Sequence, residues 1–412
     1  MIEVILKIAV LLAGLMTAAA YFVLLERRMA AWIQDRIGPN RVGIPLTKIR
    51  LFGLGQPLAD GGKFILKEEY IPGHVDKRLF VVAPITVLVA ALVAFAVIPF
   101  GSAIPWQGGK KIDLVVAPGV DVGMIFVFAL SSIAVYGVIL GGWASNNKYS
   151  FLGGLRSSAQ LIAYELPLGL GILGVVMAAG SLDLSRIIAA QAREGWYALV
   201  QPLGFIVFAI AACAEAARLP FDLPECEQEL VSGYHTEYSG IKLLLFLVAE
   251  FLHMITAAVL LVILFFGGWH FPLLTGSTYE LTGWGFSGGY WIWLQALVRV
   301  GVLFFKIFLV ILFFMLIRWS WPRFKYDQLM AFAWKVLLPL GLVNFVVIAT
   351  LEQIKINWPD AAWLKWPFAI LAWVACIVGW VAISMAGPVV ADNKPRRPLG
   401  PLDLDSRPEG QA

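Results

Sequence analysis

EAARLPFDLPECEQELVSGYHTEYSGIKLLLFLVAE, residues 215–250, is the stretch on which the reading of this chain turns. It carries seven acids (Glu215, Asp222, Glu225, Glu227, Glu229, Glu237 and Glu250) against two cations, Arg218 and Lys242. In a soluble protein such a cluster is an ordinary solvated face. Here apolar runs at 199–217 and 241–267 flank it, each long enough to be read as a membrane span. The spacing therefore predicts an acidic loop held at a membrane surface, with its two ends entering lipid-spanning helices.

Composition carries the same message to the rest of the chain. Hydrophobic residues make up 60% and charged residues 14%, against roughly 25% charged in soluble domains. Mean hydropathy is +0.82. The expectation is an all-α polytopic membrane protein, residues 1–391 forming one bundle of about nine spans: 3–25, 80–100, 120–143, 159–180, 199–217, 241–267, 295–318, 332–351 and 364–388. Residues 392–412, rich in proline and charge, read as a flexible cytoplasmic tail. Cys213, Cys226 and Cys376 show no CxxC or Cys/His spacing, which argues against disulfide, zinc or iron–sulfur ligation. There is no phosphate-binding glycine motif, which disfavours a nucleotide-driven pump.

The first apolar run could pass for a signal peptide, but its basic flank, Arg27 and Arg28, follows the run instead of preceding it. The expectation is a retained helix. With nine spans, 22 lysines and arginines fall on one side and six on the other. The positive-inside rule then puts the N-terminus outside and the C-terminus in the cytoplasm. The loops 101–119 and 268–294, rich in glycine, proline and tryptophan, would lie outside, where Trp269, Trp284, Trp291 and Trp293 form an interfacial aromatic belt.

The segment 26–79 is too long for a connector. Gly38-Pro39-Asn40 marks a turn. Apolar and charged residues alternate from Lys48 to Lys67. That pattern predicts an amphipathic interfacial helix, interrupted around Gln56-Pro57.

Ionisable residues within spans are costly, by about 2.5–3.5 kcal/mol on insertion scales, and four stand out: Glu165, Glu215, Glu250 and Lys306. The acids reach from the cytoplasmic face only to mid-bilayer, because the outer halves of these spans carry no acid. The bland reading is a set of buried ion pairs, Glu250 with Lys306 for instance, that merely orient helices. His253 shares the helix face of Glu250. Against that reading stands the acidic loop, where Glu225, Glu227 and Glu229 crowd together. Like charges in a partly dry site titrate jointly, so proton handling is the stronger expectation.

Five motifs carry a resemblance: ERRMAAWIQDRIGPNRVG, LADGGKFILKEEYIP, YELPLGL, AEAARLPFDLPECEQELVSGYHTEYSG and WPRFKYDQLM. They resemble the family of the H subunit of respiratory complex I, the bacterial counterpart of mitochondrial NADH dehydrogenase subunit 1. The match covers residues 1 to about 350, in order. It implies a membrane component of a proton-translocating NADH:quinone oxidoreductase of the bacterial inner membrane, without independent catalysis. It also implies quinone as substrate, with FMN and iron–sulfur clusters held by hydrophilic partner subunits and with antiporter-like membrane subunits alongside. By motif, Glu26, Arg27, Arg36 and Arg41 fall at the entrance and wall of a quinone chamber, with Asp60 and Lys63 in the segment that follows. Arg218, Asp222, Glu225, Glu227 and Glu229 fall in the acidic loop beneath the quinone. Glu165, Glu215 and Glu250 match the glutamates that begin a proton route, and Arg318 and Lys306 match basic positions of the seventh span, as counter-charges.

Two other functions fit parts of the pattern. A related membrane component of a hydrogenase-type complex would lack quinone, and the genes beside this one would distinguish it. A self-contained ion-coupled transporter would favour internal repeats, and none is evident.

Overall fold

Residues 240–265 form a helix that is apolar almost all round, with Lys242, Glu250 and His253 its ionisable residues, so no continuous face prefers water and the helix belongs in the middle of a bundle. The computed structural model puts it there. It describes residues 2–43, 52–105, 111–218, 220–222, 231–275, 280–282, 284, 289–357 and 365–385. In chain order these form α1 (Ile2–Ile33), α2 (Gln56–Leu66), α3 (Lys77–Ala94), a two-stranded hairpin of β1 (Ile104–Pro105) and β2 (Lys111–Ile112), α4 (Gly123–Ala144), α5 (Lys148–Ala179) and α6 (Leu184–Glu194). Then come α7 (Tyr197–Val200), α8 (Pro202–Glu215), α9 (Gly240–Phe265), α10 (Pro272–Thr275), α11 (Gly289–Ser320), α12 (Tyr326–Asn357) and α13 (Lys365–Met385). The hairpin is antiparallel, pairing Ile104 with Ile112.

The fold is all-α and polytopic, and among the described residues seven helices are long and apolar enough to cross a membrane. They are α1, α3 extended to Val97, α4, α5, α9, α11 and α12. Of the apolar window in α9, 83% is buried, against 17% in α1, so α9 is the axis and α1 an outer wall facing lipid. Helices α3, α4 and α5 pack in succession, α5 packs on α8 and α12, and α9 touches α1, α3, α8 and α11.

Glycines let some of these backbones close up. A Cβ on Gly142 would lie 2.7 Å from the Ser150 carbonyl oxygen and 3.2 Å from the Gly154 Cα, so α4 and α5 meet only because both positions lack side chains.

Three local expectations are revised. The stretch 199–217 is not one continuous span: Gln201 breaks it (φ −130°, ψ 63°), and Pro202 restarts the chain as a helix of 14 residues. At 1.5 Å per residue, α8 is about 21 Å long, short of a ~30 Å hydrocarbon core. Proline at the first helical turn also explains the second revision. Gln56-Pro57 begins an amphipathic helix, α2, while residues 48–51 of the expected one lie outside the described residues. Third, α12 passes through a π-helical turn at Ala333–Leu337, just before Pro339, whose missing N–H disturbs the ladder.

Candidate functional site

The short α8 ends inside the bundle, and the site is built on that end. Beyond Glu215 the backbone turns, with Ala217 at φ 50°, and Arg218, Phe221 and Asp222 are still buried. Irregular backbone at such depth survives only where protein satisfies its polar groups. Gln160 of α5 does this, its amide donating to the carbonyls of Ala214 (2.9 Å) and Phe221 (2.7 Å). Phe324 N–H donates to the Pro220 carbonyl at 3.2 Å. The return loop is thus pinned from α5 and from the link between α11 and α12.

Three glutamates from three helices line one cavity: Glu165 of α5, Glu215 at the end of α8 and Glu250 of α9. The space in which a water centre can move is about 50 Å³, enough for a few waters at roughly 10–15 Å³ each. Each carboxylate has a hydroxyl partner. Ser131 of α4 donates to Glu215, and its neighbour Ser132 to Glu165. Tyr234, in the described turn before α9, donates to Glu250 Oε1 at 3.1 Å. Ser132 also lies 3.0 Å from the Phe128 carbonyl, so its single hydrogen faces two acceptors.

A smaller cavity of about 20 Å³ adjoins the first, and Ser131, Glu215 and His253 line both. Its other walls come from the Val127–Phe128 end of α4 and the Thr256–Leu260 end of α9. Those are the ends opposite the return loop, so the polar space continues about one water beyond Glu215 before it closes on apolar side chains.

On the other flank lies a chain of buried charges. Arg318 of α11 pairs with Glu26 of α1. Arg218 lies 3.7 Å from Glu26 and 3.9 Å from Glu250, its guanidinium 4.2 Å above the Phe251 ring. The Arg218 side chain is 10% exposed, so these contacts are little screened. One arginine thereby joins the α1–α11 pair to the glutamate cavity.

The remaining expected residues are spread more widely. Arg27 pairs with Asp60 at 2.9 Å, which ties α2 to α1, and Gln56 donates to the same carboxylate. Asp222 is buried and paired with Arg323 at 2.8 Å. Arg36, which donates to Gln34, is exposed, as are Arg41 and Lys63. Glu225, Glu227 and Glu229 lie outside the described residues.

Lys306 does not meet Glu250. Its ammonium donates to the carbonyls of Phe266 (2.7 Å), Gly268 (2.9 Å) and His270 (2.8 Å), just past the far end of α9, and faces the Trp196 ring at 5.0 Å. The last carbonyls of a helix lack intrahelical partners and carry the negative end of its dipole, so a lysine settles there. Phe265 is fifteen residues beyond Glu250, about 22 Å along the helix.

Ser131, Ser132, Gln160, Tyr234 and Arg323 were not singled out from sequence, although Ser131-Ser132 is a conspicuous polar pair in an apolar span. Tyr234 reaches Glu250 because a Gly233–His235 turn sits directly on Gly153, where a Cβ would fall 2.7 Å from the Gly233 backbone. Gly153→Ala is therefore expected to push that turn outward at about 1–3 kcal/mol. The check is a lower thermal midpoint of the assembled protein, larger than that of Gly169→Ala, where an added Cβ meets nothing within 4 Å.

The sequence profile of the NADH dehydrogenase family matches residues 6–349. An NADH-quinone oxidoreductase H subunit of Geobacter metallireducens is 47% identical over 350 residues, covering 85% of this chain and 96% of the relative. The eighth-numbered subunit of the Thermus thermophilus NADH-quinone oxidoreductase is 46% identical over 344 residues, 84% of this chain and 85% of the relative. The H subunit of Leptospira biflexa is 43% identical over 370 residues, covering 87% and 96%.

Proposed function

The chain belongs to the NADH dehydrogenase family, as a membrane subunit of the NADH-quinone oxidoreductase type without catalysis of its own, and from that premise we propose that it walls the quinone site and couples quinone reduction to proton translocation. The observation that carries the reading is Arg218, which contacts Glu26 on one side and Glu250 on the other. Reducing quinone to quinol takes up two electrons and two protons. The electrons would arrive from NADH by way of FMN and iron–sulfur clusters in hydrophilic partner subunits. A charge change at the chamber wall, where Glu26, Arg318 and the Arg27–Asp60 pair lie, alters the pull on Arg218. Arg218 in turn alters its hold on Glu250, and the cavity glutamates exchange protons through their shared waters and hydroxyls.

Ser132 supports the protonic part. Its one hydrogen cannot serve both Phe128 and Glu165, whereas a proton resident on Glu165 would supply the second bond. His253, on both cavities, is added to the acids as a relay group. From there the change passes laterally to antiporter-like subunits. Arg36 and Arg41 would lie at the membrane entrance of the chamber, Lys63 in the segment that follows, and Asp222, Glu225, Glu227 and Glu229 in the loop beneath it. The nine crossings would lie in the inner membrane, with the N-terminus outside and residues 392–412 as a cytoplasmic tail.

The test is Arg27→Ala in the assembled complex. The loss of the 2.9 Å pair to Asp60 frees α2 from α1 at the chamber wall. NADH:quinone turnover should drop several-fold while NADH oxidation by a soluble artificial acceptor stays at the wild-type rate. An equal fall in both rates would signal defective assembly and remove Arg27 from the chamber.

A further inference from the structure

One spacious cavity has no part in this scheme. It is a cleft of about 690 Å³ between α1 and α11, floored by α9, with Phe22, Ile255, Val259 and Phe304 in its walls. Its described lining is hydrocarbon but for Lys7, the one charged residue among the described residues there. Lys7 lies near the start of α1 and lines the cleft together with Leu114–Val116 of the segment after the hairpin, so the cation marks one end of its wall on α1. Along α1 the lining runs from Leu6 to Phe22, sixteen residues and about 24 Å of helix, within a ~30 Å hydrocarbon core.

We propose that this cleft binds one phospholipid of the outer leaflet, an acyl chain lying between α1 and α11 and the headgroup phosphate on the Lys7 ammonium. The charge pattern selects this occupant. A phospholipid has one anion at one end and hydrocarbon behind it, as the cleft has one cation at one end and apolar walls behind it. A quinone has no anion to meet Lys7. Lys7 already holds Glu3 at 2.7 Å, but the Glu3 side chain is 60% exposed, so that pair is weak, and the ammonium keeps donors for a phosphate. Reaching back along the helix toward the interface is what a lysine at this depth does. Gly14 opens the middle of the cleft: a Cβ there would meet nothing within 4 Å, so a larger side chain can take the place of the acyl chain without displacing protein.

The experiment uses the assembled complex in nanodiscs of phosphatidylglycerol, transferred to detergent, with retained lipid counted by native mass spectrometry. Gly14→Phe should lose one tightly held phosphatidylglycerol per complex. Gly301→Phe, on an exposed site of α11 where an added Cβ also meets nothing, should lose none. Lys7→Gln should release that lipid at roughly tenfold lower detergent, equivalent to ~1.4 kcal/mol. An unchanged lipid count in both Gly14→Phe and Lys7→Gln would overturn the proposal. So would loss of co-purifying quinone in place of phospholipid from Gly14→Phe, or cross-linking of Gly14→Cys to a partner polypeptide. Should Gly14→Phe fail to assemble, Lys7→Gln and the cross-link decide alone.

Discussion

Glu215→Gln is expected to reduce both quinone-linked turnover and proton pumping by about a hundredfold, the lower end of the losses seen when a positioned proton donor or acceptor is removed. NADH oxidation by an artificial acceptor should stay unchanged. Glutamine keeps the volume of the side chain, and its carbonyl oxygen can still accept from Ser131, so the wall of the cavity is preserved. What is lost is the capacity to take up and release a proton at the junction of the two cavities. Ser131→Ala, which removes a partner but not the proton site, should have a several-fold smaller effect. Full retention of pumping in Glu215→Gln would end the coupling role assigned to the cavity.

The second large effect is on stability. Arg218→Met should lower the folding stability of the complex by about 3–5 kcal/mol, the usual cost of stripping one partner from a buried ion pair. Glu26 would retain Arg318 and Glu250 would retain Tyr234, but the cation that sits between the two acids would be gone. Adding Glu250→Gln to Arg218→Met should recover part of the loss, because it removes one of the uncompensated charges. A double-mutant cycle read by thermal inactivation isolates that coupling. Additive losses would mean that Arg218 and Glu250, 3.9 Å apart, do not act as a pair. Pumping in the double variant should stay low even where stability returns, which separates the structural part of the Arg218 link from its coupling part.

Much of the architecture was legible in the residues because hydrocarbon imposes a length. Apolar runs of about twenty residues have no other place to go. The five quoted motifs carried the family, and the profile match and the relatives agree with them. Pro57 and Pro202 were harder. A proline disrupts a helix interior and favours a helix start, and only the surrounding backbone tells which of the two applies.

Partners were the illegible part. Glu165, Glu215 and Glu250 are each placed by their own helix, and sequence alone set their type and their position along it. That they face one cavity depends on how α5, α8 and α9 are rotated against each other, which packing of many side chains decides. The same holds for Lys306. Its residue type and depth suit a counter-charge to Glu250, but the rotation and tilt of α11 deliver it to the end of α9 instead. Sequence by itself determined an all-helical membrane protein, because lipid penalises polarity residue by residue. Only the tertiary structure decided which charges meet, because an ion pair forms over about 3–4 Å, a range that no periodicity resolves.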